Sequence, residues 1–162
     1  MLGGDSLLVA ARNVVEKYTH AGVTFALAES CTGGMVSAAI TSVPGASRCF
    51  LGGVVAYANT AKVDLLQVPQ ETLNRHGAVS EAAARAMAEG ARQGFHAFCA
   101  GSITGIAGPE GGTAEKPVGL VFLATADARE TIVRQCFFQG DRHTIRQAAA
   151  EELLRMLLLR LP

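Results

Sequence analysis

The segment that most restricts the fold is the run Val23–Ala28 with its continuation through Thr41. A short apolar run with a β-branched start reads as a buried strand. Glu29-Ser30-Cys31-Thr32-Gly33-Gly34 then reads as a tight turn, and the small-residue stretch Met35–Thr41 as a helix. Strand, tight turn and helix in that order belong to the α/β class. The rest of the chain keeps the alternation. Leu7, Ala11, Val14, Val15 and Tyr18 fall on one stripe, predicting a helix over 5–20. A second buried strand is expected over 49–57, with Gly52-Gly53 marking a bulge or close approach. Asn59 is expected to cap a short helix carrying Lys62, Leu65 and Leu66, and a second short helix to cover 70–75. Ser80 is read as the cap of a longer helix buried through Ala84, Met87, Ala88 and Ala91. Strands are expected over 98–103, 118–126 and 131–138, the last two as a hairpin, and Asp141 caps a final helix. The expectation is a single domain over 1–162, a three-layer α/β/α arrangement with a mixed, mostly parallel sheet.

Composition removes several classes of function. Fourteen basic and fourteen acidic residues leave a formal net charge of zero, which argues against a general nucleic-acid binder but leaves room for a small phosphorylated ligand. The most apolar stretch, Leu153–Leu161, is interrupted by Arg155 and Arg160, so no membrane span is expected. Met1–Ser6 lacks the basic start and apolar core of a signal peptide. Cys31, Cys49, Cys99 and Cys136 are too widely spaced for a redox or zinc motif and read as reduced thiols of a cytoplasmic protein. No histidine has ligand spacing, so no metal is assigned.

Chemistry concentrates on a few residues. Ser30 sits where α/β sheets bind ligands, beyond a strand's carboxyl end and before a helix. Helix-opening N–H groups near Thr32, Gly33 and Gly34 would suit a phosphate or an oxyanion; equally, Ser30 or Thr32 serves only as a cap. Cys31 is the rival nucleophile, since a helix N-terminus favours a thiolate. Tyr57 and Lys62 flank the next strand–helix junction, and a desolvated lysine beside a serine hydroxyl can activate it; the plainer alternative is a surface lysine and a strand-end tyrosine. Thr104–Gly112 is a glycine-rich segment without a phosphate-binding fingerprint, either a ligand cradle through Gly105, Gly108, Gly111 and Gly112 or a mobile surface loop. Arg142 and Arg146, four apart, share a helix face that could grip a phosphate or simply be solvated.

Taken together these blocks resemble the CinA C-terminal domain family. They are Ala28–Gly34, then Gly52–Asn59 with Lys62, Gly77–Ser80, Thr104–Gly112, Lys116–Gly119 and Gly140–Arg142, in the family's order over nearly the whole chain. The resemblance implies nicotinamide-nucleotide amidase activity: nicotinamide mononucleotide and water give nicotinate mononucleotide and ammonia, in pyridine-nucleotide salvage. It places the nucleophile on Ser30, with Tyr57 and Lys62 as activating partners. Tyr57 would relay a proton or orient the lysine. Backbone N–H groups of Thr32–Gly34 or of a Thr104–Gly105 turn would hold the oxyanion. Arg142, with Arg146, would neutralise the 5′-phosphate, and no cofactor is required. Larger relatives carry another N-terminal domain, so the stand-alone form is expected. The alternatives carried are a non-catalytic nucleotide-binding or regulatory module, and an amidase for another small carboxamide. A homo-oligomer is permitted. Where many relatives place an acidic residue near the start of the third strand this chain has Phe98, so a shifted or repacked start is expected there.

Overall fold

The computed structural model describes residues 3–162, with side chains from residue 6 onward. Met1 and Leu2, part of the stretch read as lacking a leader, lie outside the described residues. Among the described residues six α-helices and five strands follow in chain order: α1 (Gly3–Ala21), β1 (Phe25–Glu29), α2 (Met35–Thr41), β2 (Phe50–Val55), α3 (Asn59–Leu66), α4 (Gln70–His76), α5 (Glu81–Phe95), β3 (Cys99–Gly105), β4 (Leu120–Ala126), β5 (Thr131–Phe137) and α6 (Arg142–Leu158). The strands form one sheet in the order β2-β1-β3-β4-β5. β1 pairs parallel with β2 and β3, and the β3–β4 and β4–β5 pairings are antiparallel. Four strands therefore run one way and β4 alone opposes them, so the sheet is mixed with a parallel majority of strands.

The two faces of β1 are read off its alternation. Phe25 and Leu27 join the larger apolar cluster, with Val14, Tyr18, Val36, Ile40, Ile103, Leu153 and Leu157 from α1, α2, β3 and α6. Ala26 and Ala28 face the other way, onto Leu66, Met87 and Ala91 of α3 and α5. Alanines on that face, continued by Ala124 and Ala126, let α5 lie close to the sheet. At its other side α5 meets α3 just as tightly. A Cβ at Gly90 would land on the Leu66 carbonyl.

Several expectations shift by a residue or two. β1 ends on Glu29 rather than Ala28, β2 stops at Val55 so that Tyr57 lies beyond it, and β3 extends to Gly105. Ser80 and Asp141 cap α5 and α6 by accepting from Ala83 N (3.1 Å) and Thr144 N (2.8 Å). Asn59 does not cap α3. It is the first helical residue, and the N-cap is Ala58, which offers no side-chain acceptor. The bulge foreseen in β2 is present: Phe25 pairs with Phe50 and Ala26 with Gly52, leaving Leu51 extra. Phe98 precedes β3, its N–H donating to Thr24 Oγ1 (3.3 Å) and its ring against the larger cluster. It stands at the end of β3 away from Ser30, whose N–H reaches the Ile103 carbonyl (3.0 Å). No described helix is long and apolar enough to cross a membrane.

Candidate active site

Ser30 follows the last residue of β1, and Lys62 comes to it from the second turn of α3. Lys62 is 1% exposed, among the largest fully buried side chains. Its Nζ lies 3.1 Å from Ser30 Oγ, 2.9 Å from the Ala56 carbonyl and 3.2 Å from the Tyr57 carbonyl. All three partners are neutral oxygens. Burial desolvates the ammonium and holds the lysine below its usual range, against a weaker opposing pull from Cys31. A neutral amine has two N–H donors and one lone pair. In the neutral form the two carbonyls would take the donors and leave the lone pair for the Ser30 hydroxyl to donate into, a geometry compatible with a base beside a nucleophile.

The turn that carries Ser30 is held from two sides. Glu29, fully buried, accepts five hydrogen bonds. Thr32 Oγ1 (2.7 Å), Gly34 N (3.1 Å) and Val36 N (3.2 Å) donate to Oε2. Ser37 N (2.8 Å) and Ser37 Oγ (2.7 Å) donate to Oε1. From α6, Arg146 donates through Nε to the Cys31 carbonyl (3.0 Å) and through an Nη to the Thr32 carbonyl (2.8 Å). Within the turn, Gly33 N donates to the Ser30 carbonyl (3.0 Å) and Met35 N to the Thr32 carbonyl (3.1 Å).

This corrects the expected oxyanion donors. The N–H groups of Gly33 and Gly34 are occupied, and α2 begins under the Glu29 carboxylate rather than open to a ligand. Thr104 and Gly105 form no turn. They are strand residues paired with Phe122 and Val121. Thr104 Oγ1 donates to the Ala78 carbonyl (2.8 Å), and a Cβ at Gly105 would meet the Leu120 carbonyl at 2.8 Å, so this glycine serves sheet packing. The Cys31 N–H turns onto its own thiol, and Thr32 is wholly buried.

Cys31 does not offer a ready thiolate. It is 7% exposed within the larger apolar cluster. Burial pushes its thiol up to about 11, outweighing its own N–H and the guanidiniums of Arg146 and Arg142, so thiolate character is suppressed rather than gained. The Tyr57 phenol does not reach Lys62. The side chain is 60% exposed, and its hydroxyl accepts from Arg142 (3.1 Å), while only its carbonyl touches the lysine. A proton relay through the phenol is absent from this arrangement. Arg142 also donates to the Gly108 carbonyl (2.7 Å), in a loop where Gly108 has φ 77° and a Cβ would strike Val118. Ser30, Lys62, Tyr57, Arg142, Arg146 and Gly108 are thus brought into one chain of contacts, whereas Thr104 and Gly105 act in the sheet. Sequence reasoning missed Glu29 and Ser37. A carboxylate ending an otherwise apolar strand was the available signal.

The family model described as the CinA C-terminal domain matches residues 8–161. A CinA-like protein of Syntrophotalea carbinolica is 53% identical over 140 residues, covering 86% of this chain and 34% of the relative. A CinA-like protein of Anaeromyxobacter sp. (strain Fw109-5) is 51% identical over 163 residues, covering 98% and 40%. The chain therefore spans little more than a third of the length of these curated relatives. Among solved structures, the competence/damage inducible protein of Agrobacterium tumefaciens superposes with a TM-score of 0.93 at 41% identity, covering 96% of this chain and 95% of that one. A CinA superfamily protein of Escherichia coli gives 0.90 at 31% identity, covering 96% and 90%.

Proposed function

The chain belongs to the CinA C-terminal domain family, and from that membership we propose that it is a serine–lysine amidohydrolase converting nicotinamide mononucleotide and water to nicotinate mononucleotide and ammonia. The observation that carries this reading is the buried Lys62 Nζ, 3.1 Å from Ser30 Oγ and surrounded by neutral oxygens only. Ser30 Oγ attacks the carboxamide carbon as its proton passes to Lys62 Nζ. The carbonyl pair moves onto oxygen to form the tetrahedral oxyanion. Lys62 returns the proton to the departing nitrogen, and ammonia leaves. Water then gives a proton to Lys62 and attacks the acyl-enzyme, releasing the carboxylate and restoring Ser30. Arg142 is exposed and keeps its Nε unused, so it is the side chain assigned to the 5′-phosphate.

The test is ammonia release from nicotinamide mononucleotide, its riboside and free nicotinamide, with Ser30→Ala and Cys31→Ala alongside. The mononucleotide is turned over, Ser30→Ala is inactive, and Cys31→Ala keeps most of the rate. Tight binding of the mononucleotide without ammonia release would instead make the chain a nucleotide-binding module. Preference for another carboxamide would retain the chemistry and replace the substrate.

A further inference from the structure

We infer that the ring of Tyr57 is the face on which the site receives a positively charged aromatic ring, so that the chain selects N-substituted pyridinium carboxamides over neutral carboxamides of the same shape. The inference rests on the serine–lysine amidohydrolase reading and adds to it the substrate feature recognised between carboxamide and phosphate.

Three observations carry it. First, Tyr57 is fixed at both ends and open between them. Its carbonyl accepts from Lys62 Nζ (3.2 Å) and its hydroxyl from Arg142 (3.1 Å), yet the residue is 60% exposed. A ring pinned in this way offers its face with little left to order on binding. Second, its two ends are the two ends of the reaction site. Lys62 Nζ is 3.1 Å from Ser30 Oγ. Arg142, held also on the Gly108 carbonyl, acts on the thiol of Cys31 next to Ser30. A ligand with its carboxamide at Ser30 and its phosphate at Arg142 therefore lays the part that joins them along the Tyr57 side chain. In nicotinamide mononucleotide that part begins with a ring whose nitrogen carries the ribose and a positive charge. Third, no carboxylate competes for that charge. Both Glu29 oxygens are filled by five donors, and among the described residues no acidic side chain bonds to Ser30, Lys62, Tyr57 or Arg142. Burial holds Lys62 toward its neutral form, so the amine opposes the charge less. The electron-rich face of an exposed tyrosine is what remains to attract a flat cation.

The experiment is calorimetric titration of Ser30→Ala, in which turnover is stopped, with two ligands. One is nicotinamide mononucleotide. The other is benzamide riboside 5′-phosphate, a carbon-linked isostere with the same carboxamide and phosphate and no charge on the ring. The cationic ligand binds about 3- to 30-fold more tightly than the neutral one. Adding Tyr57→Leu removes that ratio. Adding Tyr57→Phe keeps it, although both ligands weaken together because Arg142 loses the hydroxyl that steadies it. Adding Tyr57→Trp, the strongest face for a cation, keeps or widens it. Position 57 is exposed, so the leucine variant folds, and Tyr57→Trp and Tyr57→Phe decide the matter if it does not. Equal affinity of the two ligands with Tyr57 in place overturns the inference. So does a ratio that survives Tyr57→Leu, a ratio lost in Tyr57→Phe or Tyr57→Trp, or failure of Ser30→Ala to bind either ligand. Failure of the amidase reading alone shows differently: the parent releases no ammonia from the mononucleotide, while the binding ratio still follows the aromatic ring at position 57.

Discussion

Glu29→Gln keeps the shape of the side chain and removes one acceptor oxygen. The structure sets the size of its effect. Three donors converge on Oε2 and two on Oε1, so the amide settles with its oxygen toward Thr32, Gly34 and Val36. Its NH2 then faces Ser37. The Ser37 hydroxyl can rotate to accept, but the Ser37 N–H cannot, and a donor now opposes a donor. One stranded N–H costs about 1–3 kcal/mol. Bonds to a charged acceptor are roughly twice as strong as neutral ones, so the three that survive weaken as well. The sum is a loss of about 2–4 kcal/mol, or roughly 4–16 °C in Tm for a domain of this size. Urea unfolding followed by circular dichroism measures it, with the m-value unchanged. Glu29→Ala, which strands all five donors, loses more than Glu29→Gln. A Gln variant within about 0.5 kcal/mol of the parent would refute the claim that this carboxylate holds the nucleophile's turn, since that is the spread of ordinary surface substitutions.

Lys62→Met removes an amine whose folded value lies below 10.5 because burial disfavours the ammonium. The unfolded chain binds the proton more readily, so the parent loses stability relative to Lys62→Met as pH falls from about 10.5 toward the depressed value. Urea midpoints of both proteins at pH 10 and pH 7 must move in methionine's favour at pH 7. The parent's turnover falls on the acid side of the same titration, and Lys62→Arg, which cannot deprotonate, is nearly inactive at every pH tested. At the β4–β5 turn, burial raises Asp127, but the N–H groups of Glu130 and Arg129, the Arg129 side chain and the Arg160 guanidinium outweigh it and hold the carboxyl at about 2. Its contribution, about 2 kcal/mol, is present above pH 3.8 and lost as pH falls toward 2, so the acid limb of the stability profile is flatter in Asp127→Asn. Arg160→Ala removes a guanidinium 2.6 Å from Asp127, which keeps its bonds from Arg129 and the Glu130 N–H, and costs about 1–3 kcal/mol by urea titration at pH 7. Gly105→Ala drives a methyl into the Leu120 carbonyl and lowers stability by about 1–3 kcal/mol, with no selectivity between phosphorylated and phosphate-free substrates.

The fold was legible because its periodicities are clean. The α1 stripe, the alanine–methionine face of α5 and the capping Ser80 and Asp141 are all local patterns, and local patterns survive tertiary packing. Ser30 and Lys62 were legible because each sits next to a strand end, where the topology gathers side chains of distant sequence. What stayed hidden is direction. Tyr57 lies two residues past β2, where no strand alternation sets its side chain, and it turned outward to Arg142. Arg142 and Arg146 share a face as their spacing demands, yet spacing says nothing of which carbonyls each guanidinium meets, Gly108 for Arg142 and Cys31 with Thr32 for Arg146. Cys31 shows the same limit in electrostatic form. A place before a helix suggests a thiolate, but its burial, and the carboxylate that already occupies the helix end, decide otherwise.

The close seating of α5 on the end of α3 makes Gly90 a remote dial on the chemistry. Lys62 and Leu66 are one helical turn apart on the same rigid rod, so whatever displaces the Leu66 carbonyl carries the amine with it. The tolerance is small: a shift of about 1 Å at a reacting group can cost a hundredfold in rate. Bulk added at position 90 would thus change the base–nucleophile spacing from a helix that contributes nothing to the reaction.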